Sequence, residues 1–209
     1  VFSLEMSREQ LISRMLSADA LIQGSQLRTG NLSVDEWTKV AVSAQNIARM
    51  PMYIDDSAGI TVAEMKAKLR RVPNLGLVII DYLQLMSSGR RIENRVQEVS
   101  EITRNLKVMA KELDVPVITL SQLSRSPDKR TGDHRPVLSD LRESGSIEQD
   151  ADLVLFLYRD EYYNDDTEDK GVAEVIVAKN RHGATDTVKL AFDGQHTRFL
   201  SRELFRDAP

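Results

Sequence analysis

Three side chains suited to phosphate chemistry each follow an apolar run. Glu5 comes after Val1-Phe2-Ser3-Leu4, Asp81 closes Leu77-Val78-Ile79-Ile80, and Gln122 stands just past the run 115–120. An acid at the carboxyl end of a buried strand sits where α/β sheets bind their ligands. In phosphoryl transfer such an acid holds Mg²⁺, directly or through its water shell, which is the role open to Asp81. A carboxylate beside a bound nucleotide can polarise an attacking water, which is the role open to Glu5. A neutral amide such as Gln122 can touch a terminal phosphate and report its presence. Each residue also has a plain reading. Asp81 can cap a turn, Glu5 can favour a helix dipole from the first turn, and Gln122 can be a surface amide on a loop. The combination carries more than any one of them, because parallel strands would bring all three ends to one edge of a sheet.

A second group is cationic. Lys179 and Arg181 follow an apolar stretch ending at Ala178. Residues i and i+2 of extended chain point the same way, so both can face one anion. A guanidinium there can stabilise charge on a transferring phosphoryl group; the alternative is a solvated pair at a strand end. Arg142-Glu143-Ser144-Gly145-Ser146 is a polar loop in which Gly145 lets backbone amides approach an anion and Arg142 can pair with a DNA phosphate. Its plainer reading is a helix cap at Ser146. His134, His182 and His196 lack metal-ligand spacing. Tyr162-Tyr163 can stack on a base, though packing at a sheet edge suits the pair better.

These residues need elements to position them. Residues 1–4 read as a strand. Ser7 with Gln10 predicts a capped helix over 8–20. Residues 23–33 read as a loop holding one short helix, and 35–48 as an amphipathic helix with Trp37, Val40, Ala41, Ala44 and Ile47 on its apolar face. Residues 52–55 suggest a short strand. Thr61 and Glu64 form a capping box for a helix over 62–71. The runs 77–81, 115–120 and 153–158 read as strands buried on both faces, and 96–113 as a helix. Residues 124–136 are punctuated by Gly and Pro and read as an exposed loop. Residues 173–178 form another strand, and 187–192 with 197–200 a hairpin around Asp193-Gly194. Strands alternating with helices, then several strands in succession, predict an α/β fold. Its sheet is mostly parallel and flanked by helices, with an antiparallel edge toward the C-terminus.

Composition sets limits. The 209 residues suit one sizeable domain. The formal net charge of -4 gives no global positive field, so any nucleic-acid contact must come from a few local groups. The absence of cysteine excludes disulfides and thiolate metal sites. The longest apolar runs are too short to span a bilayer, and no signal peptide is visible.

The motifs resemble those of the bacterial DnaB replicative helicases. The matching segments are Phe2-Ser3-Leu4-Glu5-Met6, Val78-Ile79-Ile80-Asp81-Tyr82-Leu83-Gln84-Leu85, Ser121-Gln122-Leu123-Ser124-Arg125 and the long run from Arg142-Glu143-Ser144-Gly145-Ser146 to Asp152. They stand in the family's order over nearly the whole chain. The resemblance implies a RecA-like fold in a homohexameric ring that hydrolyses ATP with Mg²⁺ between subunits and moves along single-stranded DNA. It implies Glu5 as the water-activating carboxylate, Asp81 as the Walker B acid, and Gln122 as the sensor of the terminal phosphate. Lys179 and Arg181 would reach the neighbour's nucleotide, Arg181 as the arginine finger, and Arg14 would lie near the phosphates. Arg142, Glu143 and Gly145 would line the channel against DNA, with Arg125 on the 124–136 loop that also faces it. Primase and a helicase loader are the implied partners, and the cytoplasmic replication fork the implied location.

One departure matters. The chain has no Gly-x-x-x-x-Gly-Lys-Ser/Thr stretch. The family carries that loop shortly before the Phe2–Met6 segment and a primase-binding helical domain before that. The expectation is a motor domain truncated ahead of Val1, inactive by itself as an ATPase. Two other readings stay open: a RecA-like ATPase of another role, such as recombination or a clock-type hexamer, and a non-catalytic module that keeps the fold alone.

Overall fold

The computed structural model describes residues 1–141 and 145–202. In chain order the elements are β1 (Phe2–Ser3), α1 (Arg8–Ala20), α2 (Gly24–Thr29), α3 (Val34–Arg49), α4 (Val62–Leu69), β2 (Val78–Asp81) and α5 (Arg95–Leu113). There follow β3 (Val117–Thr119), α6 (Ser126–Lys129), α7 (Gly145–Asp150), β4 (Leu153–Tyr158), β5 (Val172–Asn180), β6 (Thr187–Asp193) and β7 (Arg198–Ser201). Single 3-10 turns lie at Leu83–Leu85, Leu138–Asp140 and Asp160–Tyr162. The chain divides into two compact units. One comprises residues 1–7, 53–154 and 178–184, and the other the remainder.

The first unit is built on a three-stranded sheet of order β1-β2-β3, parallel throughout. Parallel neighbours cannot be joined by a tight turn, and α5 supplies the crossover from the end of β2 to the start of β3. Asn94 starts α5 by accepting from the backbone N–H of Val96 and Gln97. Asp114 ends it in a left-handed conformation. One face of α5, with Val99, Ile102, Leu106 and Met109, packs with Met65 of α4 and with Val78 and Ile80 of β2 in a single core. Ile80 is fully buried, so cutting it back to alanine would cost about 2–5 kcal/mol. The strand that carries Asp81 is thus fixed from below. The capping box expected at Thr61 and Glu64 is present on α4.

In the second unit α1 packs on α3, and each buries a serine, Ser17 and Ser43. The four-stranded sheet runs in the order β4-β5-β6-β7, with β5–β6 and β6–β7 antiparallel. The antiparallel pairing expected near the C-terminus is therefore present, in a sheet distinct from the parallel one.

Several expectations need correction. The helix over 35–48 exists, but Trp37 is 53% exposed, and Ala41 and Ala44 are exposed too. The row turned inward is Val40, Ser43 and Ile47, and Ser43 and Ile47 are the residues that α3 buries. Residues 153–158 form β4 as expected, yet burial alternates. Val154, Phe156 and Tyr158 are covered, whereas Leu153, Leu155 and Leu157 are not. A continuous apolar run does not reveal which face is covered. β3 likewise leaves Ile118 exposed. Residues 52–55 give only an isolated bridge between Asp55 and Phe2. The 124–136 stretch contains α6, a single turn with buried Pro127. Helix α7 begins at Gly145, so Ser146 lies in its first turn rather than at its cap.

Candidate functional site

The carboxyl ends of the three parallel strands define a cleft. In register, Phe2 lies beside Ile80 and Ser3 beside Asp81, while Ile80 lies beside Thr119. Backbone bonds extend both ladders past the strand ends. The Leu4 N–H donates to Asp81 O at 2.7 Å, and the Leu120 N–H to Ile80 O at 2.9 Å. Glu5, Asp81 and Gln122 consequently emerge on one rim and line a cleft of about 250 Å³ with Tyr82, Leu120 and Ser121. Glu5 and Gln122 are exposed and Asp81 half-buried, so the rim is open to a ligand. The Asp81–Tyr82 peptide is cis.

Local bonds fix each contributor. Beyond β1 the Ser3 hydroxyl donates to Met6 O at 2.7 Å, turning the chain at Glu5. On the other side β1 is held by Asp55, whose backbone accepts from the Ser3 N–H at 2.8 Å. The Asp55 carboxylate pairs with Lys68 at 2.5 Å. Burial raises the Asp55 pKa, but the hydrogen bonds from Lys68 and Ser57 outweigh it and hold the carboxyl below its ordinary value. Beyond β3 the positioning group is Gln84. Its Nε2 donates to Ser121 Oγ at 3.0 Å and to Gln122 O at 3.3 Å, and its Oε1 accepts from the Gln122 N–H at 3.1 Å. Arg95 Nη2 in turn donates to Gln84 O at 2.7 Å. Gln84, Tyr82 and Ser121 join the three expected residues here without a role foreseeable from sequence. The one signal for Gln84 is that a lone amide follows the Asp81 strand by three residues, and its partners depend on a strand pairing that no local pattern encodes.

Glu5 and Asp81 offer hard carboxylate oxygens at one cleft. Among the described residues no cluster of three or more His, Cys, Asp or Glu is placed to hold a metal. That donor set fits Mg²⁺, which takes one or two carboxylates and completes its shell with water and phosphate oxygens.

Lys179 and Arg181 do point the same way, as i and i+2 spacing requires, but what they meet is the C-terminal end of α7. Lys179 Nζ donates to Ala151 O at 2.8 Å and to Glu148 O, and Arg181 Nη2 donates to Gln149 O. Carbonyls at a helix C-terminus carry partial negative charge and suit cations. Arg181 also lies 3.6 Å from Asp152. The Asp152 carboxyl is held below its ordinary value by a hydrogen bond from Lys107, against some burial, with the Arg181 charge adding. Arg14 is exposed on α1 in the second unit. Arg125 is exposed at the start of α6, and Gly145 opens α7. Arg142 and Glu143 lie outside the described residues.

Residues 1–201 match the family described as the DnaB-like helicase C terminal domain. The replicative DNA helicase DnaB of Geobacillus stearothermophilus is 53% identical over 207 residues, covering 97% of this chain and 45% of the relative. The replicative DNA helicase DnaC of Bacillus subtilis (strain 168) gives the same figures. Among solved structures, one described as an ATPase domain superposes with a TM-score of 0.92 at 40% identity, over 96% of this chain and 72% of that one. A DnaB-like replicative helicase, described with its interactions with primase, also gives 0.92 at 40% identity, over 96% of this chain and 49% of that one. This chain spans less than half the length of the curated relatives it matches. With the rim of Glu5, Asp81 and Gln122 in place, the chain belongs to the DnaB-like helicase C terminal domain family.

Proposed function

We propose that this chain is the motor portion of a replicative DNA helicase, in which ATP hydrolysis at the interfaces of a homohexameric ring drives movement along single-stranded DNA. The observation that carries the reading is the convergence of Glu5, Asp81 and Gln122 on one cleft, in a chain of this family. In this reading the nucleotide's phosphates lie across the strand ends. Glu5 accepts a proton from the attacking water. Asp81 faces the magnesium site, and Gln122 touches the terminal phosphate. Mg²⁺ would supply charge neutralisation at the phosphates. Lys179 and Arg181 serve the adjoining subunit's nucleotide.

The chain spans 45% of each curated relative named above and contains no Gly-x-x-x-x-Gly-Lys-Ser/Thr stretch, so ATP hydrolysis is proposed for the full-length protein. Arg125, Arg142, Glu143 and Gly145 contact the DNA backbone. Primase, a helicase loader and the cytoplasmic replication fork complete the setting. Support for a primase partner comes from the solved relative described with primase. The test is strand displacement by the full-length protein on a forked duplex with ATP and Mg²⁺. Unwinding that stops when ATP is replaced by a non-hydrolysable analogue is the expected result. ATP turnover without any unwinding would support a RecA-like ATPase of another role.

A further inference from the structure

The stretch 124–136 reads from sequence as an open loop, yet it is tied together around a buried ion pair. Asp140 is 2% exposed. Arg130 Nη2 donates to both of its oxygens, at 2.7 and 2.8 Å, and Arg130 Nη1 donates to Arg135 O at 2.9 Å. The same carboxylate accepts from the Val137 N–H at 2.8 Å, and the Asp140 carbonyl accepts from the Ser124 N–H at 2.8 Å. A bridge between Leu123 and Leu141 closes the base of the loop. On the far side His134 Nδ1 lies 2.7 Å from the carbonyl of buried Pro127. The outgoing and returning limbs are thus joined at several levels, and α6 is held between them.

What this arrangement leaves outside is informative. Arg125 and Lys129, at the two ends of α6, are exposed, whereas Arg130 is turned inward and spent on Asp140. A planar guanidinium serves several acceptors at fixed angles, which a lysine cannot do. A loop already shaped before its ligand arrives loses less entropy on binding.

We infer that the Arg130–Asp140 pair is a positioning device that holds α6 so that Arg125 and Lys129 meet the phosphates of single-stranded DNA in a preset arrangement. This rests on the proposed function, in which the loop faces the DNA. Arg130 makes no DNA contact itself.

The experiment uses the full-length protein and fluorescein-labelled oligothymidylate, with affinity measured over a range of salt concentrations. Arg130→Lys keeps the charge and loses the fork. The device requires this variant to bind about tenfold more weakly, with a shallower salt dependence, each lost phosphate contact removing about 0.7 from the slope. Wild-type affinity and slope in Arg130→Lys, alongside weakened binding in Arg125→Ala, would overturn the device and leave the DNA-facing loop standing. Unchanged binding in Arg125→Ala as well would overturn both. A second measurement needs no variant. Hydrogen exchange in the wild type should find the Ser124 and Val137 amides protected before DNA is added; protection that appears only with DNA would overturn the preset arrangement.

Discussion

Gln84 uses both ends of one amide to hold the two residues that follow β3 and Leu120, so the placement of Gln122 depends on a side chain that does not line the cleft. Misplacing a catalytic group by about 1 Å can cost about 100-fold in rate. Replacing Gln84 by Ala in the full-length protein should therefore lower kcat by about tenfold or more with little change in nucleotide affinity. Steady-state kinetics checks this, and a loss confined to KM would contradict it. Glu5, Asp81 and Gln122 were legible in the sequence because each ends an apolar run, a pattern that is local. Gln84 was not, since its partners at 121 and 122 come from another strand. The engagement of Lys179 and Arg181 with the α7 carbonyls was hidden for the same reason, lying across about 30 residues of chain.

Among the elements, the β6–β7 hairpin carries its own pH signature. Asp193 accepts from the backbone N–H of Gln195 and His196 and pairs with the side chains of His196 and Arg198. The hydrogen bond from His196 comes first and, with Arg198, lowers the Asp193 pKa from 3.8 to about 2. A depressed carboxylate stabilises the fold above its unfolded pKa and loses that contribution as pH falls through the folded one. The hairpin should thus hold its turn down to pH 3.8 and release it between 3.8 and about 2, as read by the Asp193 carboxyl resonance. A midpoint near 3.8 would show the turn contacts to be absent in solution. Elements specified by caps and turns were readable in sequence: the Thr61–Glu64 box and the Asp193-Gly194 hairpin are examples. Burial was harder to read. Trp37 and the Leu153, Leu155 and Leu157 row are apolar but exposed, because which face is covered depends on neighbours rather than on the segment.

At the scale of the whole chain, a net charge of -4 means that the DNA contact proposed for it would depend on a few local cations rather than on a general field. The ring proposed for the parent protein makes Arg181 a residue that works for its neighbour. An Arg181→Ala subunit should then fail to support the next site while its own site is served by a wild-type neighbour. In rings mixed from wild-type and Arg181→Ala subunits, ATPase activity should fall faster than the wild-type fraction when sites act in sequence. A fall no faster than that fraction would rule out sequential coupling. Action in trans is tested by mixing Arg181→Ala with Glu5→Gln subunits, where intact interfaces form and ATPase activity should return; no activity above that of either variant alone would contradict it.

The claim beneath all of this is that the strand ends at Glu5, Asp81 and Gln122 form one phosphate-handling site. Glu5→Gln in the full-length protein tests it most directly, with binding of a fluorescent ATP analogue and phosphate release measured on the same sample. Binding should persist while release falls by about 100-fold or more, the range for loss of a general base. Phosphate release near the wild-type rate would contradict the assignment of this rim as the site of hydrolysis.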